Sequence, residues 1–195
     1  MALNMAAYSN DAAAIRASLT DPEAFGLIYD RYAAMLYRFA FRRLGAEAAE
    51  DVVADSFLAA FRRRDSYDVS RPDARPWLFG ILVKEISKHH RTETARLKAL
   101  AAAQHPSSED WLADRVAAAA SATAARGALT AALAKLKPPD RDVLLLFAWG
   151  DLSYDEVATA LAIPTGTVRS RLNRARQQIR SALGSVDPAR TREES

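Results

Sequence analysis

The segment from Leu152 to Arg180 constrains the fold more than any other part of this 195-residue chain. Ser153, with Glu156 three residues later, forms the capping-box pattern that starts a helix. The sequence that follows, Ile163-Pro164-Thr165-Gly166, cannot extend that helix, because proline lacks an amide donor and glycine favours a turn. A second helix is predicted next, with Val168, Leu172, Ala175 and Ile179 spaced for one apolar stripe. The segment therefore predicts a helix-turn-helix.

The second helix of this motif carries polar and basic side chains on its other faces. They are Arg169, Ser170, Arg171, Asn173, Arg174, Arg176 and Gln177. No acidic residue occurs between Ile163 and Gly184, so this stretch holds no helix-spaced partner for the arginines. Arginines mixed with short polar residues suit both phosphates and base edges in a DNA major groove. The pattern favours duplex binding over the alternative, an amphipathic hairpin with a solvated basic face.

Composition excludes several classes of protein. The chain has no cysteine, which excludes a disulfide framework, a thiolate metal site and a cysteine nucleophile. Its N-terminus has no basic segment ahead of an apolar core, so no secretory signal is predicted. No run is long and apolar enough to span a bilayer. We expect a soluble cytoplasmic protein without membrane insertion.

The first half of the chain shows helical spacing and no strand pattern. Residues before Thr20 predict at most a short or frayed helix, and a long helix is predicted from Asp21 to about Gly45. The next helix, from about Glu47 to Arg64, has acidic residues early and arginines late. This polarity suits the helix dipole, but it also suits a docking face for a basic partner. The residues alone leave both interpretations open.

A polar loop and a basic helix follow. Residues 65–75, DSYDVSRPDAR, are typical of a loop, and a helix is predicted from about Pro76. Basic side chains on this helix, together with Tyr67 and Trp77, fit single-stranded nucleic acid, where charge follows the backbone and aromatic rings stack on bases. The alternative is that Trp77 is a core residue.

The predicted fold class is all-α, with two small helical domains joined by a flexible linker. We divide the chain into an N-terminal segment (1–20), a first domain (21–94), a linker (95–125), a second domain (126–184) and a disordered tail (185–195). Within the second domain, Pro138 and Pro139 are expected to stop one short helix, and Asp140 to open another.

With both halves considered, the chain resembles a bacterial extracytoplasmic-function (ECF) sigma factor. The resemblance is carried by AEDVVADSFLAAF and PWLFGI in the first half and by LSYDEVATALAIPTGTVRSRLNRAR in the second. It covers about Asp21 to Leu183, and it implies a region-two helical bundle and a region-four helix-turn-helix. Proteins of this family bind core RNA polymerase and direct promoter recognition and transcription initiation. The resemblance also implies an anti-sigma factor as a further partner.

The resemblance assigns three groups of site residues. Those expected on the polymerase clamp helices are Asp51, Val52, Asp55, Ser56, Leu58 and Phe61. Those expected at the downstream (minus-ten) element, where a loop captures a flipped base beside the melting edge, are Ser66, Tyr67, Asp68, Arg71, Arg75, Trp77, Lys84 and Lys88. Those expected in the major groove of the upstream (minus-thirty-five) element are Pro164, Thr165, Gly166, Thr167, Arg169, Ser170, Asn173 and Arg174, with Arg171 and Arg176 on phosphates. The second domain is expected at the polymerase flap.

One position departs from the family pattern. Glu85 stands where similar sequences often carry asparagine, and a carboxylate repels DNA phosphate. We expect this turn of the helix to face protein.

The free energy of strand opening predicts an obligate partner. The sequence has no phosphate-binding glycine loop, so strand opening must draw on binding free energy. Each duplex step lost costs about 1.4 kcal/mol, and each captured base returns about 1–3 kcal/mol. Capture of one or two bases cannot open a long bubble, so double- and single-stranded promoter DNA must be held with the help of the polymerase.

No catalytic residue, metal site or cofactor is predicted. His89 and His90 are adjacent and point to different sides of a helix, and His105 lies in the linker. The main alternative is a helix-turn-helix transcription regulator that acts without docking on core polymerase. A second alternative is a helical scaffold that binds another regulator and no DNA.

Overall fold

The structure is a computed structural model that describes residues 10–103 and 124–184. Within these ranges every regular element is helical, which confirms the predicted all-α class. The helices are α1 (Asp11–Ala17), α2 (Gly26–Leu44), α3 (Ala46–Arg62), α4 (Arg75–Ala103), α5 (Ala124–Lys135), α6 (Pro138–Ala148), α7 (Tyr154–Leu161) and α8 (Thr165–Gly184). Short 3-10 turns cover Pro22–Phe25 and Arg64–Ser66. Most of the predicted linker and the whole predicted tail lie outside the described residues.

The first half packs α2, α3 and α4 around large apolar side chains. Phe39 of α2 meets Phe79 of α4 edge to face, with ring centroids 5.1 Å apart, and both are buried. Gly45 joins α2 to α3 at φ 85°, a backbone conformation that favours glycine. Helix α1 is packed and not frayed: Ile15 is fully buried, and the Asn10 side chain caps the helix by accepting from Ala13 N at 2.9 Å.

The second half packs α6, α7 and α8 together, with α5 against α8. Val143, Leu146 and Leu172 lie in its core. Helix α6 begins at Pro138 rather than at Asp140, because proline is well tolerated in the first turn, where its missing amide has no partner to lose.

Helix α4 is buried on more than one side, and this joins the two halves. All residues from Leu78 to Val83 are buried, as expected of a helix that is apolar all round. One side of α4 packs on α3 and another on α7. At the second contact a Cβ added to Gly80 would lie 2.3 Å from the carbonyl oxygen of Ala160. The halves therefore share one hydrophobic core in this conformation, whereas the sequence predicted contact only through a linker.

The reason for this difference lies in α4 itself. Helical spacing in the sequence predicts one apolar stripe on this helix, formed by Trp77, Leu78, Ile81, Leu82 and Ile86. Phe79, Gly80 and Val83 lie outside that stripe and provide a second apolar face. The helix also continues to Ala103, nine residues beyond the predicted domain boundary at residue 94.

A buried ion pair also connects the halves. The Arg43 guanidinium of α2 lies 2.9 Å from the Asp142 carboxylate of α6, and both side chains are largely buried. Burial lowers the pKa of Arg43 and raises the pKa of Asp142, each against the attraction of its partner. Desolvation therefore outweighs the mutual attraction of the two charges.

Candidate nucleic-acid and polymerase interfaces

The predicted helix-turn-helix consists of α7, a short turn and α8. The capping box is present: Ser153 Oγ accepts from Glu156 N at 3.3 Å, and Glu156 Oε2 accepts from Ser153 N at 2.7 Å. Ala162 ends α7 in the left-handed conformation, and Thr165 Oγ1 donates to Asp155 Oδ1 at 3.0 Å across the turn. These contacts fix the angle at which α8 leaves the motif.

The apolar stripe of α8 turns its polar face outward. Val168, Leu172 and Ala175 are buried, as the spacing predicts. The exposed members of the predicted upstream set are Pro164, Gly166, Arg169, Ser170, Asn173, Arg174 and Arg176, and the half-buried ones are Thr165, Thr167 and Arg171. All of them lie on the turn or on α8, so the motif presents one basic surface.

Two of these arginines lie over aromatic rings of the same half. The Arg169 guanidinium is 6.0 Å from the ring centroid of Tyr154, and that of Arg176 is 5.2 Å from the centroid of Phe147. Such cation–π contacts limit the freedom of the side chain and leave its N–H donors at the surface. The two arginine side chains are therefore partly oriented at the surface.

Arg174 has a structural partner that the sequence did not reveal. Its Nε and Nη2 donate to the two carboxylate oxygens of Asp140 at 2.7 and 2.8 Å. Asp140 is 1% exposed, and the hydrogen bonds from Arg174 lower the pKa of its carboxyl. Breaking this pair to contact a base would leave a buried carboxylate without its partner. Arg174 therefore has a structural role in this conformation, and the base-reading role inferred for it stays a prediction.

The loop between the second 3-10 turn and α4 is held by its own tyrosine. Tyr67 is buried, its ring centroid lies 5.0 Å from that of Trp77, and its hydroxyl donates to Arg71 O at 2.7 Å. Burial is the main cause that raises the pKa of Tyr67 to about 12. Tyr67 thus supports the loop from inside and, contrary to the sequence-based expectation, offers no face for stacking on a base. Trp77 is half-buried, so part of its side chain packs in the core and part is accessible at the surface.

Arg71 of this loop and Arg75, the first residue of α4, contact the helix-turn-helix. Arg71 Nη1 donates to Thr159 Oγ1 at 2.8 Å, and Arg75 Nη2 donates to Glu156 Oε1 at 2.6 Å. Burial alone would raise the pKa of Glu156, but hydrogen bonds from Arg75 and Ser153 outweigh it and the pKa is lowered. In this conformation both arginines hold α7. Ser66 and Asp68 are exposed, and Asp68 accepts from Ser70 Oγ at 2.6 Å.

The basic side of α4 is open. Lys84 and Lys88 are exposed, and Lys88 Nζ lies 3.0 Å from Glu85 Oε2. The side chain of Glu85 is only 17% exposed, so its carboxylate lies against the protein and its charge is offset by Lys88.

The acidic helix α3 presents a surface, although not with every predicted residue. Asp51, Asp55 and Leu58 are exposed, as are the neighbouring Glu47 and Glu50. Val52 and Ser56 are buried, and the Ser56 hydroxyl donates to Val52 O at 2.6 Å, so both belong to the supporting side of the helix. We therefore remove Val52 and Ser56 from the predicted docking set.

Phe61, the last residue predicted on the docking face, is half-buried. Its ring packs edge to face on Phe25, with centroids 5.4 Å apart, and the Arg64 guanidinium lies 3.9 Å from its centroid. Phe61 thus lies at the border between the core and the exposed face of α3.

Two residues of the first half that contact the loop, Asp11 and Tyr32, were missed by the sequence analysis. The Asp11 carboxylate of α1 accepts from Ala74 N, at the end of the loop, at 2.8 Å. It also accepts from the hydroxyl of Tyr32, which lies on α2. The Tyr32 hydroxyl also lies 3.0 Å from Asp73 Oδ1. The only sequence signal was an aspartate that follows an asparagine cap, which is also an ordinary helix start.

Within the described residues, neither a metal site nor a membrane-spanning helix is found. Among residues 10–103 and 124–184, no cluster of histidine and carboxylate side chains could hold a metal ion. In the same part of the chain, none of the helices has both the length and the apolar character needed to cross a membrane.

Comparison with known proteins matches both halves to one family. The sigma-70 region 2 model matches residues 28–96, and the sigma-70 region 4 model matches residues 126–179. The ECF RNA polymerase sigma factor SigL of Mycobacterium tuberculosis is 33% identical over 165 residues, which cover 84% of this chain and 90% of SigL. The RNA polymerase sigma factor CnrH of Cupriavidus metallidurans is 31% identical over 189 residues, which cover 89% of this chain and 93% of CnrH.

Two solved structures of sigma factors are similar to this chain in fold. The structure of CnrH in complex with the cytosolic domain of CnrY has a TM-score of 0.61 at 29% identity and covers 89% of this chain and 96% of that chain. The sigma factor RpoE of Bartonella quintana, solved with the anti-sigma factor NepR, shares the fold with a TM-score of 0.60 at 22% identity, covering 83% and 98% of the two chains. The two helical halves, the helix-turn-helix and these matches lead to one conclusion: the chain belongs to the ECF RNA polymerase sigma factors.

Proposed function

We propose that this sigma factor uses three separate surfaces to start transcription. The exposed acidic face of α3 docks on core polymerase, the loop before α4 captures a base of the downstream promoter element, and α8 enters the major groove of the upstream element. The observation that carries the proposal is that the chain presents an acidic exposed face on α3 and a basic exposed face on α8. A regulator that only binds DNA has no need of the acidic face.

The docking face consists of Asp51, Asp55 and Leu58, bordered by Phe61. Exposed carboxylates around one exposed leucine combine long-range attraction to a basic partner with a small apolar contact. Leu58 is 45% exposed, so its side chain is accessible for this apolar contact.

The upstream surface divides into reading and anchoring side chains. Asn173 is exposed on α8, and its amide can pair with an adenine edge in the major groove. Ser170 is exposed beside it, while its hydroxyl donates to Thr167 O at 3.0 Å. Arg169, Arg171 and Arg176 supply positive charge for phosphates, and each neutralised phosphate contributes about 0.9 to the slope of log affinity against log salt.

Engagement of both promoter elements requires the halves to separate. The minus-ten and minus-thirty-five elements lie about 25 base pairs apart, which is about 85 Å along B-form DNA. A compact chain of this size is only about 40 Å across. The closed conformation, with Arg71 and Arg75 on α7, therefore cannot occupy both elements, and we propose that core polymerase binds and holds the opened form.

We further propose that an anti-sigma protein restrains this factor. Its relative CnrH was solved with the cytosolic domain of CnrY, and RpoE was solved with an anti-sigma factor. A restraint of this kind would act on the closed conformation, in the cytoplasm, where bacterial polymerase works.

Run-off transcription with core polymerase tests the proposal. A sigma factor starts transcription with core enzyme alone, whereas the alternative, a helix-turn-helix regulator, needs another sigma factor in the reaction. A variant with Asp51→Lys and Asp55→Lys should lose initiation and core binding but retain binding of the isolated upstream element. Initiation by this variant at the wild-type level would contradict the assigned docking face.

A further inference from the structure

The buried carboxylate of Asp11 lies between the N-terminal helix and the proposed base-capture loop. Asp11 is 4% exposed, and its Oδ2 accepts from Ala74 N at 2.8 Å. Its own backbone amide donates to Pro72 O at 3.1 Å. One residue of α1 therefore binds the main chain of the loop at two points on either side of Asp73.

Two side chains of α2 complete this arrangement. Arg31 Nη1 donates to Asp11 Oδ1 at 2.6 Å, and the Tyr32 hydroxyl lies within hydrogen-bond distance of both Asp11 and Asp73. Burial is the first cause of a raised pKa at Tyr32, so its hydroxyl keeps its proton and remains a donor. The carboxylate of Asp11 thus has donors on both oxygens, which fixes its orientation.

The bound segment leads directly into the residues at which DNA would act. Asp73 Oδ1 accepts from the Arg75 amide at 2.8 Å, and this contact lies at the start of α4. Tyr67 holds the opposite side of the loop through Arg71 O, at 2.7 Å. The main chain of the loop is therefore restrained on both sides of its exposed residues.

We infer that Asp11 is a positioning residue for downstream base selection. This inference rests on the proposed function, in which the loop captures a base. Asp11 does not touch DNA; it holds residues 72–74 in the geometry in which the capture site is formed before the base arrives. Such preorganisation is needed because groups that contact the base discriminate between bases only when they are held close to the productive geometry.

The substitution Asp11→Asn isolates this role. It keeps the size of the side chain but replaces one acceptor oxygen by an NH2 group, which must face either Arg31 or the Ala74 amide, donor against donor. The matched control is Ser18→Ala. Ser18 is buried at the other end of α1, and its hydroxyl donates to Ile15 O at 2.6 Å, within α1 and away from the loop.

The experiment is a competition for holoenzyme among fork-junction DNAs whose single-stranded downstream element is randomised, with the bound sequences counted. The ratio of best to worst base at each position does not depend on the amount of active protein. We expect Asp11→Asn to reduce this ratio about fivefold at one or two positions, the effect of one lost hydrogen bond. Ser18→Ala should leave the ratio unchanged, and both variants should bind core polymerase like the wild type.

The outcomes separate the two proposals. Wild-type holoenzyme that selects no downstream base would overturn the proposed capture function, and the inference with it. Selection by the wild type with an unchanged ratio in Asp11→Asn would overturn the role of Asp11 alone, as would an equal loss in Ser18→Ala. Should Asp11→Asn fail to fold, Tyr32→Phe removes one hydroxyl from the same arrangement. A ratio reduced at one or two positions in Tyr32→Phe then supports the inference, and an unchanged ratio contradicts it.

Discussion

Arg174 of α8 donates two hydrogen bonds to Asp140 of α6, at 2.7 and 2.8 Å, and so joins these two helices of the second half. The arginine is half-exposed at the surface and the carboxylate is buried beneath it. A bidentate pair of this kind is rigid and specific in geometry. It sets the position of the very helix that we propose to enter the major groove.

The first prediction contrasts Arg174 with its neighbour Asn173. Arg174→Ala leaves Asp140 buried without its partner, so the variant should unfold at lower temperature and bind matched and mutated upstream elements more weakly by a similar factor. Asn173→Ala should keep the wild-type melting temperature and lose discrimination at one base pair by about 1–3 kcal/mol. Competitive binding to the two elements, with thermal unfolding beside it, makes the distinction. A selective loss in Arg174→Ala would support the base-reading role.

The second prediction concerns pH. Hydrogen bonds from Arg174 hold the pKa of Asp140 below its ordinary value, so the unfolded chain takes up this proton more readily than the folded protein. The stabilisation from this group is therefore complete above the ordinary carboxyl pKa of about 4 and disappears as the pH falls through the lower folded value. Urea unfolding of wild type and Asp140→Asn from pH 7 to pH 3 should show a difference in free energy that shrinks at the acid end. A difference independent of pH would contradict this assignment.

The elements of the second half could be predicted because they depend on local signals. Ser153 with Glu156 and the turn at Pro164 set the bounds of α7 and α8 within the chain itself. Arg174 could not be assigned in the same way, since its partner lies 34 positions earlier and no helical spacing connects them. Long-range pairing of charges leaves no periodic pattern in one sequence.

In the first half, the acidic face of α3 was predicted, but the predicted docking residues also included two from the buried side of this helix. Val52 and Ser56 fall within the family motif, and a motif does not separate residues that contact a partner from residues that support them. The closed packing was missed for another reason. Gly80 lies inside the predicted helix, where the apolar spacing gives it no role, although a glycine between Phe79 and Ile81 also permits close approach of a second helix.

The third prediction uses the buried pair of Arg43 and Asp142. Replacement of one partner, by Arg43→Met or Asp142→Leu, leaves the other charge buried alone and should cost about 3–5 kcal/mol in the free energy of unfolding. The double variant removes both charges and should recover most of that loss. Urea unfolding of the four proteins gives the coupling energy directly. If the two single effects simply add, the pair is not formed in solution.

The final prediction concerns the contact that closes the two halves. In Gly80→Ala, the new methyl group would lie 2.3 Å from Ala160 O, a backbone atom that cannot rotate away. Alanine favours the helix itself by about 1 kcal/mol, so α4 should persist while its packing on α7 is weakened. Gly127→Ala is the matched control, because it makes the same exchange in a helix where nothing lies within 4 Å of the added carbon.

The radius of gyration from small-angle X-ray scattering should increase in Gly80→Ala and stay unchanged in Gly127→Ala. Overpacking at such a contact costs about 1–3 kcal/mol, so the equilibrium between closed and open forms should shift about 5- to 150-fold toward the open form. If core polymerase selects the open form, its apparent affinity for Gly80→Ala should rise, because less of the binding free energy is spent on opening. An increase in size without any gain in affinity would show that the polymerase does not depend on separation of the halves. A protein that stays compact and is stabilised as much as Gly127→Ala would show that α4 and α7 are not packed together in solution.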